Sequence, residues 1–267
     1  MASGESLKRY YLLDGIQLRA DEHEQFERLA AIRVYADLGE TAARTGPILL
    51  EHDTVSASLV AAIDEGRPRR YAVAELLSRA SLTALGRHLL ASRYLQLNEY
   101  SQHFLRYADT RVFSALVQVL TAAQLSMLFG PVENWRYLDR AGQTTAQPRP
   151  PVPSASGTIR LDQAQQRQLF RLAAPDQLLA EVLADEPELA DRGSESELHF
   201  WTASSLEFLE QQRMRSFPLR LAVATVAVRT RGQALDDAAF VALVVHSFSR
   251  GTDVDALYDW NPTEARP

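Results

Sequence analysis

Glu51, His52 and Asp53 are the residues of this sequence whose types and spacing best suit acid–base chemistry. A histidine between two carboxylates can act as a tuned general base, because nearby negative charge favours the protonated imidazole. The three residues directly follow the apolar run Pro47–Leu50, which predicts a buried strand ending at this cluster. A solvated strand end is the competing interpretation. We prefer it and keep a hydrolase-type enzyme as the alternative.

The sequence lacks other motifs that are typical of catalysis, metal binding or nucleotide binding. Its six histidines show no metal-ligand spacing, and it has no cysteine for a thiolate nucleophile or a zinc site. Neither the Walker pattern, nor Gly-x-Gly-x-x-Gly, nor Gly-x-Ser-x-Gly occurs. We therefore predict a protein that is not an enzyme, with no catalytic residue, no metal and no cofactor.

Arg106, Asp109 and Arg111 are the most distinctive polar residues. An aromatic, extended run leads through Tyr107 into an apolar-periodic helix, for which Asp109 or Thr110 is a suitable N-cap. An arginine–aspartate pair across such a corner is geometrically easy. A pair of this kind holds an arrangement more reliably than it adds stability. We interpret the corner as a structural clamp, with direct contact to a partner as the alternative.

Strands and helices alternate over the first 141 residues, which predicts an α/β lobe with a mixed sheet flanked by helices. Strands are predicted at Tyr10–Gly15, Gly46–Asp53, Tyr71–Leu77, in a hairpin over 94–107, and at Trp135–Leu138, with helices at Ser58–Glu65, Ser81–Ser92, Thr110–Leu120 and Thr121–Leu128.

Proline marks a boundary after this lobe. Four prolines occur within residues 142–157, a composition that predicts neither strand nor helix. Beyond the linker 142–158, the pattern predicts an all-helical lobe over 159–267 and an α+β fold for the chain. Helices are predicted at Leu161–Leu172, Pro175–Asp185, Glu195–Met214, Pro218–Arg231, Leu235–Ser249 and Val254–Asp259. The β-branched run Leu221–Val228 also suits a strand, but Pro218 and Gly232 bracket it as a helix.

Charge narrows the range of partners. The net charge is −6 and the pI is about 5.6, which argues against binding to nucleic acid or to anionic lipid. The apolar runs are too short to span a bilayer, and the polar start Met1–Arg9 lacks the apolar core of a signal peptide. The acidic stretch 185–197 is interpreted as a solvated loop, with a docking surface for a basic partner segment as the alternative.

Several segments resemble, in order, a family of bacterial adaptor proteins that load toxic effectors onto the type VI secretion spike. The segments are Tyr11-Leu12-Leu13-Asp14-Gly15, Gly46-Pro47-Ile48-Leu49, Leu82-x-x-Leu85-x-Arg87-His88-Leu89, Phe104-Leu105-Arg106-Tyr107-Ala108-Asp109-Thr110-Arg111-Val112 and Leu125-x-x-Leu128-Phe129-Gly130-Pro131-Val132-x-x-Trp135. Together they extend over residues 10–140. Ala108 and Thr110 depart from the family, which often has an aromatic residue and a proline inside the corner.

The resemblance implies a non-catalytic chaperone of the bacterial cytoplasm that binds one cognate effector and delivers it to the VgrG spike protein. It assigns Arg106, Tyr107, Asp109, Arg111 and Trp135 to the family's structural corner, where contact with a partner is a further possibility. The region after Gly157 is only loosely similar, as expected if it is fitted to an individual effector. A structural component of the spike is a further alternative.

Overall fold

The computed structural model describes residues 6–66, 70–97, 100–153, 157–250 and 254–260. The chain divides into two compact units, Met1–Leu169 and Phe170–Pro267. The first unit combines strands and helices and the second is helical, so the predicted α+β class is confirmed. No helix in the described part of the chain is long and apolar enough to cross a membrane.

The first unit is built on a six-stranded sheet. Its strands are β1 (Lys8–Asp14), β2 (Ile32–Arg33), β3 (Pro47–Glu51), β4 (Val73–Ser78), β7 (Val132–Leu138) and β8 (Thr144–Pro148), in the order β2-β3-β1-β4-β7-β8. Every ladder of this sheet is antiparallel. A second sheet has the order β6-β5-β9, from β5 (Tyr94–Gln96), β6 (Gln102–Phe104) and β9 (Ile159–Arg160). Its β5–β6 ladder is antiparallel and its β5–β9 ladder is parallel, so this smaller sheet is the mixed one.

Six helices connect these strands. They are α1 (Ala20–Glu27), α2 (Glu40–Thr45), α3 (Thr54–Gly66), α4 (Leu82–Ala91), α5 (Thr110–Val119) and α6 (Ala122–Phe129). Because side chains alternate along a strand, both faces of β1 are apolar and each is covered. Tyr11 and Leu13 pack with Phe26 of α1 and Ile63 of α3. On the opposite face, Trp135 of β7 stacks on Phe113 of α5.

The expectation that residues 142–157 form neither strand nor helix is wrong at Thr144–Pro148. This segment pairs along β7 as the edge strand β8. Its proline, Pro148, stands at the last position, where an edge strand tolerates the missing amide hydrogen. The wider proposal of a linker over 142–158 between domains 1–141 and 159–267 stays a prediction; the two compact units meet between Leu169 and Phe170.

In the described residues of the second unit, all regular secondary structure is helical. Helix α7 (Gln163–Asp185) begins in the first unit and continues into the second, where α8 (Glu195–Gln211), α9 (Phe217–Arg229), α10 (Ala238–Arg250) and α11 (Asp255–Tyr258) follow. The prediction of two helices separated before Pro175 is wrong, because a single helix runs through this proline. Proline lacks an amide hydrogen and therefore favours a helix start, but an interior position is possible at the loss of one hydrogen bond.

Helix α9 is the centre of the second unit. Residues 222–228 are all buried, and the flanking helices contribute Leu209, Phe240 and Val244 to the same core. The β-branched run is therefore helical, as predicted, because a helix that is apolar on every side suits a position surrounded by other helices.

Candidate functional site

The corner between β6 and α5 gathers the polar residues that the sequence singled out. Strand β6 ends at Phe104, and residues 105–109 form a turn in place of the extended run that was expected. The amide of Asp109 donates to the carbonyl of Arg106 at 3.1 Å and closes this turn. Asp109 is the N-cap of α5, and its Oδ1 accepts from the amide of Arg111 at 3.0 Å. Thr110 is the first residue of the helix.

Asp109 also binds the side chain of Arg111 through both carboxylate oxygens. Nε of Arg111 donates to Oδ1 and Nη2 donates to Oδ2, each at 2.8 Å. Arg106 approaches from the other side, with its Nη2 3.3 Å from Oδ2 of Asp109. The carboxylate is buried, while the two arginines are 46 % and 32 % exposed. Because their outer edges reach water, the cluster keeps a buried anion paired without burying either cation fully.

Asp14, at the end of β1, is a fourth member that sequence reasoning missed. Its Oδ2 accepts from Nη2 of Arg106 at 2.8 Å and from Nε2 of Gln17 at 2.7 Å. Burial raises the pKa of Asp14, and the hydrogen bond from Gln17 and the charge of Arg106 oppose that rise only in part. The available signal was an aspartate immediately after a fully apolar strand, but the Asp-Gly pair also indicates an ordinary turn.

Tyr107 points into the protein, opposite to Arg106. It is fully buried, and its hydroxyl donates to the carbonyl of Leu89 in α4 at 2.8 Å. Burial raises the pKa of Tyr107 well above its ordinary value, so this phenol stays neutral. The ring packs edge-on against Trp135 at a centroid distance of 6.3 Å. Tyr107 therefore fastens the corner to α4 and to the sheet.

Trp135 is the centre of an aromatic cluster beneath the corner. Its ring is fully buried and stacks on Phe113 at 4.2 Å between centroids, with Phe129 at 5.7 Å. Nε1 of Trp135 and Oγ1 of Thr110 are buried atoms without a hydrogen-bond partner in the described structure. Neither lines the larger grooves of this unit, so we assign them to the core.

His88 and Gly130 meet where α4 packs against the end of α6. Nε2 of His88 donates to the carbonyl of Leu128 at 2.8 Å, and burial lowers the pKa of this imidazole. Gly130 has a φ of +50°, and a Cβ at this position would overlap the His88 ring. The glycine is thus required both by its backbone conformation and by the neighbouring ring.

Glu51, His52 and Asp53 serve three separate local contacts. Oε1 of Glu51 accepts from Nζ of Lys8 at 3.0 Å, and the His52 ring packs on Tyr11 at 5.1 Å between centroids. Oδ1 of Asp53 accepts from the amide of Ser56 at 2.7 Å in the first turn of α3, and this bond lowers the pKa of Asp53. Such contacts are typical of a strand end leading into a helix, and they do not orient His52 as a general base.

The remaining polar groups give no metal site. Within the described ranges, no group of three or more His, Cys, Asp or Glu side chains could hold a metal ion. Open grooves of about 470 Å³ and 480 Å³ occur in the first and the second unit, respectively. The first lies beside Tyr11, Glu75 and Arg136 on the sheet, where Arg136 pairs with Glu75 at 3.7 Å.

Comparison with known proteins matches part of the chain to a family model. Residues 9–127 match the family model described as "Domain of unknown function (DUF4123)". No curated protein and no solved structure matches the chain. The matched range contains β1 except its first residue and the whole Arg106–Arg111 corner, and it ends within α6, before Gly130 and Trp135. Over residues 9–127, less than half of its length, this chain is therefore similar to the DUF4123 family, which corresponds to non-catalytic adaptor proteins associated with the effectors of type VI secretion.

Proposed function

We propose that this chain is a non-catalytic adaptor of the bacterial cytoplasm that binds one cognate toxic effector and loads it onto the VgrG spike of a type VI secretion system. The observation that carries the proposal is the match of residues 9–127 to the DUF4123 family model. In this proposal the chain acts by binding alone, and it needs neither a cofactor nor a metal.

The geometry of the corner supports a structural role for the family's polar residues. Asp109 accepts three hydrogen bonds from Arg111, and Arg106 is shared between Asp109 and Asp14. The charged groups of these side chains are therefore already paired with one another within the lobe. We therefore propose that the corner holds β1, α4 and α5 in the arrangement that the family requires, and that partners contact other surfaces.

Co-expression with a candidate effector and its VgrG protein tests the function. We expect size-exclusion chromatography to show a complex of chain and effector, and a ternary complex once VgrG is added. An effector that stays soluble, monomeric and fully secreted without this chain would overturn the proposal. Binding to VgrG that is independent of any effector would instead indicate a structural component of the spike.

His52→Ala separates binding from the alternative of an enzyme. We expect this variant to bind and deliver the effector as the wild-type chain does, because the ring of His52 makes a local packing contact with Tyr11. Loss of a hydrolytic activity in this variant, with complex formation intact, would favour the enzyme.

A further inference from the structure

A groove lined by both apolar and polar residues lies on the helical unit, between α8 and the 3₁₀ segment Gln233–Asp236. Its volume is about 480 Å³, and Phe200, Trp201, Phe208 and Leu235 form its apolar lining. The side chain of Phe200 is 65 % exposed. It stands beside the buried Trp201 and the partly buried Phe208 and Leu235, so this side of the groove offers an apolar anchor point to a partner.

The floor of the groove is held in place before any partner binds. Trp201 lies between two glycines: a Cβ on Gly193 would stand 2.8 Å from its Cη2, and one on Gly232 3.1 Å from its Cδ1. Gly232 and its neighbour Arg231 both have left-handed backbone, with φ of +82° and +55°. An arginine in this conformation is strained and is retained where the surroundings impose it. A preformed groove loses little entropy on binding.

The shape of the groove suits a helix. Phe200, Ser204, Glu207 and Gln211 recur along one side of α8, a stripe of about 16 Å at 1.5 Å per residue, or three helical turns. The backbone amides and carbonyls of α8 are hydrogen-bonded within the helix, so they cannot pair with an extended strand of a partner. A partner helix forms its backbone hydrogen bonds internally, so it can bind through side-chain contacts alone.

Two of the three charged residues that line the groove are acidic. Helix α8 carries Glu195, Glu197, Glu207 and Glu210 and has no lysine or arginine. Glu207 and Asp236 line the groove, and neither forms an ion pair within the described residues. The one cationic lining residue, Arg231, lies close enough to Glu197 for its charge to contribute to a lowered pKa of that carboxyl.

We propose that this groove docks an amphipathic, positively charged helix of the partner protein. The proposal rests on the proposed function, which makes the effector that partner. Apolar side chains of the helix would pack on Phe200, Trp201 and Leu235, and its lysine or arginine side chains would pair with Glu207 and Asp236. Phe200 is the anchor because it is the most exposed aromatic residue of the lining.

Titration calorimetry with the full-length chain and the purified effector tests the groove. We expect Phe200→Asp to raise the Kd at least tenfold. Phe217→Asp is the matched control, since Phe217 is 57 % exposed and does not line the groove. It should change the Kd less than twofold. Thermal unfolding of each variant checks that the helical unit stays folded.

Charge reversal tests the basic character of the helix. The double variant Glu207→Lys, Asp236→Lys should weaken binding and flatten its salt dependence, and Glu181→Lys on the exposed side of α7 should do neither. Peptides of 20 residues covering the effector should include one basic, helix-forming peptide that competes with the effector for the wild-type chain but not for Phe200→Asp. Tighter binding after charge reversal would overturn the proposal.

The outcomes separate this inference from the proposed function. Wild-type affinity in Phe200→Asp would overturn the groove and leave the adaptor function standing. An effector that does not bind the wild-type chain would overturn both. Sedimentation velocity tests whether a second copy of the chain occupies the groove instead. A wild-type dimer that becomes a monomer in Phe200→Asp, with effector binding unchanged, would assign the groove to self-association.

Discussion

Arg106 donates from Nη2 to Oδ2 of Asp14 at 2.8 Å, joining two residues that are 92 positions apart in the chain. The arginine belongs to the turn before α5 and the aspartate ends the central strand β1. Asp14 is buried, and Arg106 is half exposed. The contact thus connects the sheet to the corner. Its carboxylate is desolvated by burial in the folded chain.

Asp14→Asn should gain stability relative to the wild-type chain as the pH rises from 4 to 7. Burial raises the pKa of Asp14, so the folded chain keeps this proton to a higher pH than the unfolded chain does. Its contribution to the free energy of unfolding therefore falls as the pH rises through that window. Urea unfolding at several pH values measures the difference between variant and wild type.

Asp53→Asn is a control for which we expect the opposite change of relative stability with pH. The amide of Ser56 lowers the pKa of Asp53, so its stabilising contribution is lost as the pH falls through the lowered pKa. The asparagine variant should therefore lose stability relative to the wild type as the pH rises. If Asp14→Asn behaves in the same way, the ion pair with Arg106 outweighs burial and our interpretation of Asp14 is wrong.

Asp109→Ala should lower the free energy of unfolding by about 2–3 kcal/mol, because it removes an N-cap and leaves two arginines without their shared anion. We place the value below that of a fully buried pair, because both arginines reach water. Asp109→Asn keeps the cap and should cost about 1 kcal/mol less than the alanine variant. Chemical denaturation measures both.

Ser81→Ala serves as a reference for the loss of a cap alone. Ser81 caps α4 through one bond, from the amide of Ala84 at 3.3 Å. Its loss should cost about 1 kcal/mol. An Asp109→Ala variant no less stable than Ser81→Ala would show that the arginine pairing adds nothing.

Gly130→Ala should destabilise the chain by about 3 kcal/mol, from left-handed backbone strain and from overlap with His88. Gly39→Ala is the comparison without steric overlap, because Gly39 has a φ of +99° and open space around the added methyl group. We expect a loss of about 1–2 kcal/mol there, from backbone strain alone. Equal losses in the two variants, measured by thermal unfolding, would mean that the His88 ring moves aside freely.

His88 should make the chain less stable as the pH falls from 7 to 5. Its pKa is lowered by burial, so the unfolded chain takes up a proton that the folded chain resists. The loss is at most about 1.4 kcal/mol per pH unit for one group. His23 has a pKa lowered by burial as well and adds to the same slope.

His88→Gln should therefore reduce this pH dependence without abolishing it. The slope of unfolding free energy against pH is the measurement, since the absolute stability of the variant also reflects the altered hydrogen bond to Leu128. An unchanged slope would place the titrating group elsewhere.

Much of the candidate corner was predictable because its interactions are local. Asp109 caps α5 and pairs with an arginine two positions ahead of it, and both relationships follow from helix geometry. Asp14 was missed, since no pattern within either segment brings a strand end and a turn 92 residues apart together. Trp135 carries no local sign of its neighbours, although an aromatic residue in a strand indicates burial.

Amino-acid composition predicts secondary structure less well where neighbouring elements of the fold determine it. The proline-rich segment after β7 contains the edge strand β8, because its amides meet unpaired groups on β7. Pro175 lies inside α7 although proline favours a helix start. In both places the neighbouring structure supplies interactions that outweigh the local preference.

By itself the sequence determined the α+β class, the position of most strands and helices, the capped corner at Asp109, and the resemblance of the N-terminal lobe to an adaptor family. These features depend on alternation, helical spacing and capping, which act over a few residues. Tertiary structure alone decided that Arg106 bridges to Asp14, that Gly130 faces His88, and that Phe200 borders a groove. Each of these contacts joins separate elements, and the order in which those elements pack is determined by the burial of the whole core.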